Sequence, residues 1–323
     1  MASYHPRDNE PSWRSVDSET DDGGESSETG SAVGETPETG SAAGQSKDTG
    51  SAIGQRISPL DVAFVAVVPL VLIGVFLLPE AVKRSFTLSY LDPTVVTAYT
   101  AHFVHLDSTH LLTNLVVFLL VVPFVAAVSV RNGRRREFYL VAFTILAVFP
   151  FVFSALNVLF PRPRIGLGFS GINLAFVGYL PHVVVARFEL ERPDTREIGN
   201  VLLPVAFFVG TATVVLRLGP AVLSELPARR SEFAASGLFS VSAAVVLLSV
   251  VFTRFRERDW LLTDAISPLV GFGGLLFVLL LVIGFPQPTA SGGSVLNVFV
   301  HFLGYSFGYL VPYTAFRVVG IDA

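Results

Sequence analysis

Between residues 61 and 316 the chain carries eight apolar stretches of roughly 17 to 23 residues, at approximately 61–79, 109–130, 138–159, 169–187, 201–218, 234–253, 265–285 and 294–316. As a helix, each is long enough to cross about 30 Å of hydrocarbon. A composition of 51% hydrophobic and only 15% charged residues, with a mean hydropathy of +0.61, excludes an ordinary soluble domain. The expected fold is all-α: a polytopic membrane helix bundle of about eight spans, held in the lipid bilayer as a multi-pass integral protein. Cysteine is absent, so neither a disulfide framework nor a thiolate zinc site is possible.

The formal net charge of −4 hides a split. Residues 1–56 hold 11 acidic and 4 basic residues, a net of −7, which leaves 15 acidic and 18 basic, a net of +3, for the remainder. The first piece is rich in Ser, Gly, Glu and Thr, and it repeats with a period of ten: Glu28-Thr29-Gly30-Ser31-Ala32, Glu38-Thr39-Gly40-Ser41-Ala42, Asp48-Thr49-Gly50-Ser51-Ala52. It has too few apolar groups to offset its ordering entropy, so residues 1–56 are expected to form a disordered, acidic, low-complexity tail. No apolar run precedes residue 60, which argues against a signal peptide. Residues 57–323 are then the membrane domain, and no nucleic-acid partner is expected.

An even number of spans puts both termini on one side. With the termini in the cytoplasm, the inner segments carry twelve basic residues and the outer loops seven, which favours N-in, C-in in a cell membrane. The outer loop 80–108 is half apolar, is broken by Pro93 and offers Tyr90, Tyr99 and Phe103 to the headgroup zone, so it is expected to lie in the interface. The outer loop 286–293 is uncharged and rich in Pro and Gly, a flexible segment suited to act as a lid.

Three polar clusters break the apolar background. His102, His105, His110 and Asn114 surround the start of the second span, with His110 and Asn114 on one helix face. Ser170 stands between Gly168 and Gly171, and a helix starting there would leave backbone amides pointing at whatever sits on the serine. His301 begins the ridge His301-x2-Gly304-x3-Gly308 in the last span, where small residues let helices approach closely. Polar groups of this kind also serve simply to bond neighbouring helices. Yet in the inward-running assignment all of them fall at similar depth, which favours one shared site. No Asp or Glu lies deep in a span beside the histidines, so no metal and no cofactor is expected. A serine needs a base to become a nucleophile, and attack on an amide carbonyl creates an oxyanion that needs donors. His301 can be the base, and the Ser170 amide, His110 and the Asn114 amide can be the donors, giving a dyad without an acid.

In that order and on separate spans, His105-x4-His110-x3-Asn114, Gly168-Phe169-Ser170-Gly171 and His301-x2-Gly304-x3-Gly308 resemble the rhomboid family of intramembrane serine proteases, over roughly residues 60–187 and 286–317. The resemblance implies a serine endopeptidase that cleaves single-span membrane proteins in or near the bilayer. It makes Ser170 the nucleophile and His301 the general base, and it gives His110 and Asn114 to the oxyanion. It also implies that His105 lines a water-filled cavity and that Gly304 and Gly308 allow tight packing of the two catalytic helices. The chain departs from the family pattern at Leu174, where a tyrosine is usual, in lacking a Trp-Arg pair in the first outer loop, and in having three spans between serine and histidine, two more than the basic six-span plan provides. An inactive relative that binds transmembrane helices without cutting them is the alternative reading.

Overall fold

The computed structural model describes residues 55–159, 161, 163–225, 230–256, 267–285 and 295–321. The tail over residues 1–54 and the lid expected at 286–293 lie outside these described residues.

Ser58 starts the first helix, α1 (Pro59–Phe76). Its hydroxyl accepts from the Asp61 amide, while the Asp61 carboxylate takes the Ser58 amide at 2.6 Å, a capping box with proline at the first helical position. Asp61 is buried and is also bonded by the Tyr139 hydroxyl at 2.7 Å and Arg135 at 3.2 Å, which pins α1 to the helix beginning at Arg135.

The segment after α1, expected to lie in the interface, is ordered. It holds a short helix α2 (Glu80–Ser85), a strand β1 (Leu88–Ser89), a second short helix α3 (Val95–Thr100) and a 3-10 turn at Ala101–Phe103. Then α4 (Ser108–Arg131) begins on Asp107, whose carboxylate accepts the His110 amide at 2.8 Å. The third apolar stretch is α5 (Arg135–Phe143) and α6 (Phe149–Val158), joined by a π-turn at Thr144–Val148. Pro150 has no amide for the ladder there, which is the physical cause of the widened turn. Strand β2 (Ile165–Gly166) pairs antiparallel with β1, Leu88 facing Gly166 and Ser89 facing Ile165.

Five further helices follow: α7 (Ser170–Glu191), α8 (Arg196–Glu225), α9 (Arg230–Arg256), α10 (Pro268–Gly284) and α11 (Val295–Pro312). Among the described residues, helix occupies most of each of the eight apolar stretches. Among the described residues six spans are long and apolar enough to cross a membrane, namely α1, α4, α5 with α6, α7, α8 over Pro193–Arg217 and α9 over Ala234–Arg254. Helix α10 is a shorter apolar helix of 17 residues, and α11 has 18. The molecule is a multi-pass helical membrane protein. Helices α1 and α9 turn Leu60, Val67, Leu70, Leu238, Phe239 and Phe252 outward, a surface that hydrocarbon covers and water would not.

The bundle is organised around α7, of whose most apolar window 89% is buried against only 17% for α1 and α9. It is enclosed by α4, α8, α10 and α11. The α7–α11 seam has almost no side chains in it. A methyl group on Gly304 would strike the Gly171 carbonyl, one on Gly308 the Ala175 carbonyl, and one on Gly178 the Tyr305 carbonyl. Backbone thus touches backbone, as small residues in membrane helices permit. The register rises together on both helices, 171 with 304 and 175 with 308, so they run parallel. Helices α8, α9 and α10 bring the chain back to the end from which α7 started.

Candidate active site

Ser170 is the first residue of α7, and the chain enters it through a constrained turn. Gly168 has φ +109°, a conformation open to glycine, and the place of its missing Cβ lies 2.6 Å from Cε1 of the His110 ring. The Gly168 amide donates to the Ala101 carbonyl at 3.0 Å, so the segment before α4 braces the turn that presents the serine. The capping position of α7 is Phe169, which has no side-chain acceptor to offer. The first-turn amides therefore have no partner within the helix, and of the first-turn residues Ser170 lines a cavity beside it.

His301 of α11, 131 residues along the chain, places Nε2 2.7 Å from Ser170 Oγ. Its other nitrogen, Nδ1, lies 3.0 Å from the Gly284 carbonyl at the end of α10. A carbonyl only accepts, so Nδ1 carries the proton and Nε2 is the free base that takes the serine O–H. The next residue, Phe285, sets its ring edge-on to the imidazole at 6.1 Å between centroids and 73°. Leu174, buried, packs against Gly284, with Cδ1 2.9 Å from the place a Cβ would occupy. The end of α10 thus supplies two contacts to His301 that neither motif announced: a carbonyl for orientation and an aromatic ring for seating.

A cavity of about 400 Å³ opens on Ser170 Oγ, bounded by His301, His110, Gly168, His102, Ser154 and Asn157 among others. The structure brings Ser170, His301 and His110 to this wall but holds Asn114 and His105 behind it. Asn114, expected among the oxyanion donors, has its amide nitrogen 3.1 Å from His105 Nε2 and donating to the His110 carbonyl at 3.0 Å. Its oxygen accepts from Asn173 at 3.0 Å. Both Asn114 amide hydrogens thus have protein acceptors within reach, and its side chain does not line the cavity. His105, expected at the cavity, is wholly buried, its Nε2 also facing the Phe169 amide at 3.5 Å. It ties the serine turn to α4. Gly171 and Gly304 meet in the seam below the dyad, and Gly308 lies one turn further down.

His102 was legible only as part of a polar cluster; here its Nε2 sits 3.0 Å from Ser154 Oγ, which donates to the Ala98 carbonyl at 2.6 Å. Burial pushes the His102 imidazole down to about 4, and burial together with the nearby His110 pushes that of His105 down to about 4. An unfolded histidine titrates near ~6.5, so below that pH the unfolded chain binds protons that the folded protein refuses. Each ring contributes stability that is complete above about pH 6.5 and is lost progressively as the pH falls towards 4, up to about 3 kcal/mol per ring. Melting temperatures in detergent are expected to fall steadily between pH 6.5 and 4.5; a flat profile would contradict these assignments.

No family model, no curated protein and no solved structure matches this chain.

Proposed function

We propose that the chain is a serine endopeptidase of the rhomboid type, an eight-span protein of the cell membrane with both termini in the cytoplasm, hydrolysing peptide bonds in or near transmembrane segments of other membrane proteins. The observation that carries this reading is the 2.7 Å approach of His301 Nε2 to Ser170 Oγ beside a cavity, with the histidine's other nitrogen committed to a carbonyl.

The chemistry follows from that geometry. Ser170 Oγ attacks the scissile carbonyl carbon as its proton passes to His301 Nε2. The oxygen of the tetrahedral intermediate carries the negative charge, and the Ser170 amide and His110 are its donors, each typically worth roughly 3 kcal/mol of barrier. Asn114 supports them through His105 and the His110 backbone. As the C–N bond breaks, His301 returns the proton to the leaving amine. Water then attacks the serine ester, giving its proton to His301, and releases the acid and the free hydroxyl. The imidazolium formed midway faces the C-terminus of α10, where the carbonyl ends carry about half a negative charge, and this takes the place of the missing acid. No metal or cofactor has a part.

A serine-directed fluorophosphonate tests the proposal directly. Purified wild-type protein is expected to be labelled in detergent, and Ser170→Ala protein to be unlabelled. Equal labelling of both, or none of either, would remove the hydrolase and leave a chain that binds transmembrane helices without cutting them.

A further inference from the structure

In the proposed chemistry the helices between serine and histidine have no evident task. The geometry points to one: we propose that Arg217 on α8 is a positioning residue for His301, acting through the last turn of α10. This rests on the Ser170–His301 dyad being the reactive pair.

The last turn of a helix leaves carbonyls with no amide to accept from, a serious defect inside a membrane. In α10 those carbonyls are distributed with purpose. Arg217 donates from Nε to the Phe285 carbonyl at 3.0 Å and from Nη2 to the Val282 carbonyl at 3.4 Å. Between these two lies the Gly284 carbonyl, the one that accepts from His301 Nδ1. The guanidinium therefore clamps the peptide units on either side of the group that sets the histidine's tautomer. It also holds Phe285, fully buried and edge-on to the imidazole, in place. A cation at a helix C-terminus is electrostatically favourable. Arg217 stands at the end of the apolar run Pro193–Arg217, so its charge reaches α10 from the membrane edge without entering the core.

The planar fork is what the task requires. An ammonium is a point charge and cannot bridge two carbonyls in a fixed plane, and a neutral residue gives up the charge as well. Without the clamp the final turn of α10 loosens and the Gly284 carbonyl swings away. The imidazole can then move its proton to Nε2, a tautomer unable to accept from Ser170.

The experiment is a kinetic comparison of full-length wild type, Arg217→Lys, Arg217→Gln and Arg217→Met in detergent, using the fluorophosphonate as probe. Limiting labelling rate and half-saturating concentration are measured separately. Arg217→Met is expected to lose about tenfold to a hundredfold in limiting rate, the scale set by small misplacements of catalytic groups, with the half-saturating concentration unchanged. Arg217→Lys should recover part of the loss and Arg217→Gln less, an order that a general packing role would not produce. Arg217→Met reacting at the wild-type limiting rate overturns the proposal. Should that variant fail to fold, Arg217→Lys and Arg217→Gln decide, and equal rates for the two overturn it. Wild-type protein that does not label at Ser170 instead removes the dyad itself, so failure of the reaction and failure of the Arg217 role are told apart.

Discussion

Replacing His301 with alanine is expected to lower cleavage of a reporter transmembrane helix by at least about a thousandfold, close to the effect of Ser170→Ala, because the two residues act as one unit. A serine hydroxyl with no base at 2.7 Å is a poor nucleophile, and the imidazole of His110 packs against Gly168 with no hydrogen bond to the serine among the described residues. The two variants should differ in stability while sharing the loss of activity. Ser170→Ala removes one hydroxyl beside a cavity and should leave the fold unchanged. His301→Ala leaves the Gly284 carbonyl without its donor, which costs about 1–3 kcal/mol. The measurements are reporter cleavage in liposomes and thermal unfolding of the same preparations. His301→Ala retaining a tenth of wild-type activity while properly folded would remove the base from the mechanism.

The second large effect is expected at Gly308. A Cβ there meets the Ala175 carbonyl oxygen, with the Ala175 carbonyl carbon and Cα both at 2.6 Å, and no rotamer change can relieve a clash with backbone. Gly308→Val should cost about 3 kcal/mol or more and push α11 away from α7. Labelling of Ser170 should then fail even in the fraction that stays folded, since His301 travels with α11. Gly274→Ala is the matched control. Its Cβ would meet nothing within 4 Å, so gaining a better helix former should leave both melting and labelling unharmed. Normal labelling by folded Gly308→Val protein would show that the seam does not set the distance between serine and histidine.

Hydrophobic length alone located the six helical segments of membrane-crossing length, since an apolar run needs no partner to declare itself. The glycine ridge and the flanked serine were legible for a similar reason: close approach and positive φ each exclude a side chain, and that leaves a mark in the sequence. What did not show was whatever depends on backbone. The Gly284 carbonyl that orients His301 carries no residue signature, and the clamp by Arg217 looked like an outer-loop charge because α8 runs further than its apolar stretch. Asn114, expected as an oxyanion donor beside His110, instead turns its amide to His105 and Asn173, because a buried polar side chain takes the partners within reach. Asn173 itself, three residues after Ser170, was visible as a polar group in an apolar span and could have been paired with Asn114 in advance. The strand pair Leu88–Ser89 with Ile165–Gly166 is too short for any periodicity to reveal.

The burial of α7 bears on the order in which the bundle can close. Of the six membrane-length spans it has the lowest mean hydropathy, 1.3, and three of the four helices that enclose it are made after it. During synthesis it must wait, its Asn173 and glycines facing lipid or a chaperone, until α11 emerges behind α8, α9 and α10 and closes the seam with α7. The same late helix carries His301 to Ser170. A chain made only as far as α10 therefore holds Ser170 without the imidazole at its hydroxyl, and under the proposed chemistry it stays inert until α11 is in place.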